Sequence, residues 1–145
     1  MEKVSKEQYA EAVIKFVDLA RQPTSGGRVA AQLLLSAYNG SDFQLDVAGM
    51  GSLDWRNYEI AMTIIRGRYE TGHEPHALIA NGSSIFRDLW ETWFALHVKE
   101  RGKATCPTCD GRGELFLNPD DENDDRTKPC PCCAGKRRIC ECSFH

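Results

Sequence analysis

The octapeptide CPTCDGRG, residues 106–113, and its near repeat CPCCAGKR, residues 130–137, divide this chain in two. All seven cysteines of the 145 residues lie at or beyond Cys106, and residues 1–105 hold none. Seven is odd, so the thiols cannot all pair within one chain. The opening MEKVSKEQYAEAV has neither a basic start nor an uninterrupted apolar run, so it does not read as a secretion signal. No stretch offers the ~20 apolar residues that a membrane crossing needs. The sequence therefore predicts a cytoplasmic protein with no membrane partner. In that reducing compartment clustered cysteines read as metal ligands rather than disulfides.

A C-x-x-C turn brings two sulfurs to one ion, and structural Zn²⁺ takes four at ~2.3 Å. Cys106 and Cys109 form one such turn, and Cys130 and Cys133 form the other, with 20 residues between them. That separation matches the spacing of two-turn zinc sites. Pro107 and Pro131 fix φ just inside each turn. Gly111, Gly113 and Gly135 come next, and glycine allows the positive φ that points backbone N–H groups at thiolates. The expectation is one Zn²⁺ on Cys106, Cys109, Cys130 and Cys133. Cys132, Cys140 and Cys142, with His145, make a candidate second set of four. Against it, Cys132 adjoins Cys133 and the C-x-C spacing is tight. A redox-active C-x-x-C is the other reading, but its usual βαβ setting is missing.

CPTCDGRG matches the C-x-x-C-x-G-x-G repeat of the cysteine-rich domain of DnaJ-type chaperones, which residues 104–142 resemble. CPCCAGKR departs from it at Arg137, and Cys140-Glu-Cys142 is similar to a broken further repeat. The resemblance implies that the second and third repeats share one zinc, again on Cys106, Cys109, Cys130 and Cys133. It also implies a small zinc-held hairpin module. The His-Pro-Asp signature of the J-domain is absent, so a chaperone-like adaptor is only an alternative. Two-repeat regulators such as the anti-TRAP protein are the nearer analogy.

Residues 1–103 read as a mainly α domain of about five helices, and 104–145 as the zinc-stabilised β-hairpin module. Ser5 and Gln8 form a capping box ahead of a helix from Lys6, with Tyr9, Val13, Phe16, Val17 and Ala20 on one face. Pro23 stops it. Thr24–Gly27 reads as a flexible turn with Ser25 as cap, and Val29–Tyr38 as the second helix. FQLDV, 43–47, alternates like a short strand or an extended connector. Asp54 caps a helix from Trp55 to Thr71, with Tyr58, Ala61, Met62, Ile65 and Tyr69 as its apolar stripe and Gly72 as its stop. A short helix from Pro75 to Asn81 comes next. Ser83 or Ser84 caps the last helix, which carries Phe86, Leu89, Trp90, Trp93, Phe94 and His97 to about Arg101. His73, Glu74 and His76 are a weak metal or catalytic set, and a surface role is the default. Gly26-Gly27-Arg28 is a weak anion site for the same reason. The central helical region from TSGGRVAAQLLLSAYNG, 24–40, onward is similar to an uncharacterised family seen in phages and mobile elements.

The formal charge is −3. The tail from 104 carries six Lys/Arg against eight Asp/Glu, and a four-thiolate zinc adds two more negative charges. Phosphate binding needs a basic surface, and Lys136, Arg137 and Arg138 alone make a small one. Nucleic-acid binding through that patch is thus the second reading. The first is a non-enzymatic regulator that contacts a host or viral protein in a bacterial cell, as anti-CRISPR proteins do. Asp120, Asp121, Glu122, Asp124 and Asp125 in PDDENDD, 119–125, are its candidate contacts, with the basic patch.

Overall fold

The computed structural model describes residues 2–100, 103–109, 112–136 and 138–140, with backbone alone at 103–105 and 138–140. The chain divides into two units, Met1–Glu100 and Arg101–His145. The first holds four helices: α1 (Lys6–Ala20), α2 (Ser25–Tyr38), α3 (Trp55–Thr71) and α4 (Gly82–Thr92). Among its described residues the second holds four three-residue strands.

The capping box sets the start of α1: Ser5 Oγ accepts from Gln8 N, and Gln8 Oε1 accepts from Ser5 N. The expected face, Tyr9, Val13, Phe16, Val17 and Ala20, is buried against α2 and α3. Burying each large apolar side chain is worth about 1.5–3 kcal/mol, so α1 is the spine of this core.

The α2 helix begins earlier than the sequence suggests. Thr24, not Ser25, is its cap, and Thr24 Oγ1 accepts from Gly27 N at 3.0 Å. Gly26 and Gly27 therefore lie in its first turn. Gly27 is there because α1's last turn comes too close: an added Cβ would sit 2.0 Å from the Gln22 carbonyl oxygen. With that N–H taken and Gly27 buried, the Gly26-Gly27-Arg28 reading as an anion site loses its donor. Thr24→Ala should lower the stability of this unit by about 1 kcal/mol, read as a lower thermal midpoint with native helical content.

Residues 43–47 form no strand. Phe43 is fully buried, and the Gln32 side chain donates to Gln44 O at 2.7 Å, so the segment is an extended connector pinned to α2.

Asp54 Oδ1 accepts from Asn57 N at 2.8 Å to start α3, and Gly72, at φ 70°, ends it. The expected stripe holds only in part. Ala61 is buried and Ile65 packs against the core, whereas Tyr58 is 38% and Tyr69 90% exposed and Ile64 and Gly67 are the other buried positions. The cause is close packing: a Cβ on Gly67 would lie 2.5 Å from the Tyr9 ring. Gly67 lets Tyr9 in, and Tyr58 and Tyr69 face outward.

The fifth expected helix is a 3₁₀ turn, Pro75–Leu78. Asn81, in the left-handed region, precedes α4, so Ser83 and Ser84 fall inside the helix rather than capping it. Gly82 fits there because a Cβ would meet the His76 carbonyl oxygen at 1.8 Å. The α4 helix stops at Thr92, short of Arg101. The Trp93 indole N–H donates to Ala20 O at 2.8 Å, and Val98 N donates to Asp42 O at 2.9 Å, drawing the chain off the helical path into a 3₁₀ turn at Phe94–Leu96.

In the second unit β2 (Glu114–Phe116) pairs antiparallel with β3 (Thr127–Pro129), and β1 (Lys103–Thr105) with β4 (Arg138–Cys140). Glu114 faces Pro129 and Lys103 faces Cys140 in register. The acidic stretch is thus the tip of the β2–β3 hairpin.

Candidate metal centre

Each cysteine turn sits where a strand begins or ends. Cys106 comes directly after β1, and Cys130 directly after β3. The main chain then locks the two turns together: Cys130 N donates to Gly113 O at 2.9 Å. Gly113 and Gly135 have φ of 84° and 78°, and Ala134 also lies in the left-handed region at 52°. Gly113 N donates to Cys109 Sγ at 3.3 Å, the backbone-to-sulfur bond that the glycine spacing predicts.

The four sulfurs of Cys106, Cys109, Cys130 and Cys133 all lie within 4.8 Å of one another, and all four residues are buried. Cys106 Sγ is 3.9 Å from Cys130 Sγ, and Cys109 Sγ is 3.8 Å from Cys133 Sγ. Disulfide sulfurs stand at ~2.05 Å, so these are free thiols. A tetrahedron of sulfurs ~2.3 Å from a central ion has edges of about 3.8 Å. The cluster has the dimensions of a tetrathiolate metal site.

Its electrostatics suit that role. Backbone N–H groups, first that of Cys109 and then that of Thr108, hold the Cys106 thiol down at about 6 against the opposing effect of burial. The bonds between Cys106 and its sulfur neighbours act in the same direction. A cation would take over the same charge. Four sulfurs fill a tetrahedral shell and leave no open position for substrate or water.

The other sequence candidates part company with this cluster. Among the described residues no second group of three or more metal-ligating side chains comes together. Cys132 is exposed, outside the four-sulfur set. Cys140 is described in backbone only, within β4, and Cys142 and His145 lie outside the described residues. Of the basic patch, Lys136 is exposed, Arg138 is backbone only, and Arg137 lies outside the described residues.

His73 and His76 do not converge. His73 is exposed, and its carbonyl accepts from the Tyr9 hydroxyl. His76 packs edge-on to Tyr38 at 4.9 Å, and its Nδ1, though 3.5 Å from Glu74, makes no hydrogen bond. His97 is the packed histidine expected. It is buried among Phe43, Trp90 and Phe94, and its Nδ1 accepts from Lys99 N at 3.1 Å. That bond leaves the proton on Nε2, 3.4 Å from Asp42.

At the hairpin tip Asp120, Asp121, Glu122 and Asp125 are exposed, but Asp124 turns inward. The Arg126 guanidinium grips it with two bonds of 2.8 and 2.7 Å, and Asn118 adds a third. Those bonds, the Arg126 pair first, hold the Asp124 carboxyl well below the usual carboxylate range. Sequence reading missed this clasp; a D-x-R step is too common to signal it. Asp124→Ala should speed amide exchange across 117–126 while leaving metal content unchanged. Mass-spectrometric hydrogen exchange reads both at once.

One family model matches the chain, over residues 10–94, and its description is a family of unknown function, DUF7673. The chain belongs to DUF7673. The match spans α1 to α4 and stops before Cys106, so the metal centre lies outside the stretch that defines DUF7673 here. No curated protein and no solved structure matches the chain.

Proposed function

We propose that this DUF7673 protein is a non-enzymatic regulator that works by protein contact, with a zinc-folded head as its interaction element. The observation that carries the reading is the buried four-sulfur cluster. Its dimensions suit Zn²⁺, and four thiolates close the coordination shell, which is the pattern of a structural metal. Around it stands a small exposed head. Phe116 and Leu117 are each nearly half exposed beside the carboxylates of the tip. That surface suits a partner with basic and apolar groups. The acidic balance of the tail disfavours nucleic acid as the partner. The reading takes the target to be a defence or enzyme complex of the host cell, on the resemblance of the region from residue 24 onward to a phage and mobile-element family.

The test is affinity capture from a bacterial host lysate with the zinc-loaded chain and with a Cys130→Ser variant, each with and without nuclease. A stoichiometric protein that elutes with the first bait, survives nuclease and is lost with the second supports the reading. Retention of nucleic acid that falls steeply with salt overturns it.

A further inference from the structure

The bulky line of α3 whose aromatic rings face away from the core has a spacing of its own. Trp55, Tyr58, Met62, Ile65 and Tyr69 succeed one another at intervals of three, four, three and four residues. That is the a/d repeat of a coiled-coil seam, in which each side chain enters a hole on a facing helix. Among the described residues no helix covers these rings. Trp55 is 74%, Tyr58 38% and Tyr69 90% exposed, and Trp55 and Tyr58 lean ring on ring at 5.4 Å. Met62 and Ile65 are half-buried between them, and Ile65 also packs against the margin of this unit's own core. The fully buried positions of this helix follow another line, Ala61, Ile64 and Gly67, and the two lines meet at Ile65.

We propose that this seam is a homodimer interface, with α3 of a second copy packed antiparallel against it. Three features choose that occupant. First, the repeat covers four turns of a single straight helix, so a helix of the same length and period matches it along its whole run, and α3 itself is such a helix. Second, the charges flanking the seam complement themselves. Glu59 and Arg66 lie on one border, one turn either side of its centre. A two-fold axis across α3 sets Glu59 of one copy beside Arg66 of the other, twice. A parallel pairing sets like charges level. Among the described residues Glu59 makes no ion pair, and Arg66 is already held in place by Glu70 at 3.0 Å and by the Glu2 carbonyl. Third, the area suffices. Aromatic side chains bury about 150–250 Å² each, so these three exposed rings alone offer roughly 400 Å² per copy. With the rest of the seam, two copies reach the ~1,000 Å² total of a specific interface.

The experiment is sedimentation equilibrium of the zinc-loaded full chain across a dilution series. The expected result is a species of twice the 16.3 kDa chain mass that dissociates on dilution. Trp55→Glu with Tyr69→Glu should leave the helical circular dichroism unchanged and weaken association at least 100-fold. Glu59→Arg alone and Arg66→Glu alone should each weaken it about tenfold, and an equimolar mixture of those two variants should recover it. A monomer at every concentration up to the solubility limit overturns the proposal. So does a dimer that survives the Trp55/Tyr69 double substitution. Either result would leave the seam to a different protein.

Discussion

Replacing Cys130 by serine abolishes tight metal binding and unfolds the second unit, while the helices keep their circular dichroism. Cys130 is fully buried, and its sulfur stands on one edge of the tetrahedron. Beyond the four cysteines the described part of this unit buries almost nothing. Leu115 is the one partly buried hydrophobic packed against them, and the strands are three residues long. A segment of this kind has no core to fold on. A structural zinc contributes apparent free energies of about 10–16 kcal/mol, and that free energy is folding free energy. Loss of one ligand removes most of it and leaves three thiolates to repel each other. The expected readout is less than stoichiometric zinc by elemental analysis and rapid proteolysis between residues 103 and 140. A C130S protein that retains one zinc and resists protease contradicts this account of the head.

Gly27→Ala carries the next largest effect, on the helical unit. An added methyl would overlap the Gln22 carbonyl oxygen, with the Leu19 carbonyl oxygen 2.9 Å away. Both are backbone, so no side chain can step aside. The first turn of α2 must move, and the Thr24 cap moves with it. Overpacking costs about 1–3 kcal/mol and a lost cap about 1, so roughly 2–4 kcal/mol is expected. Domains are stable by only about 5–15 kcal/mol, so chemical denaturation resolves a change of this size. A shift under about 0.5 kcal/mol, the range of neutral surface substitutions, would show that the α1–α2 junction is looser than described.

The same glycine shows where sequence reading reaches and where it stops. The face of α1, its capping box and the limits of α3 are local properties, and Ser5, Gln8, Asp54 and Gly72 place them correctly. The two C-x-x-C turns announce their cluster because zinc chemistry fixes both residue type and spacing. Gly26-Gly27 reads as a turn by itself, yet Thr24 starts the helix ahead of it, and the glycine at 27 is explained by the end of α1, which leaves no room there for a side chain. The α3 stripe fails in part for a like reason. Ala61 is buried as expected, but hydrophobicity also ranks Tyr58 and Tyr69 as core, where tertiary fit favours Gly67, against which Tyr9 can close. The end of α4 depends on Trp93 finding Ala20 O, 73 residues away in sequence, and no window around Trp93 contains that partner.

The most direct test is the zinc K-edge X-ray absorption of the chain purified under reducing conditions. The account predicts a metal-loaded protein whose zinc sees four sulfurs at ~2.3 Å. A first shell dominated by oxygen and nitrogen, or a protein that carries no zinc, contradicts it.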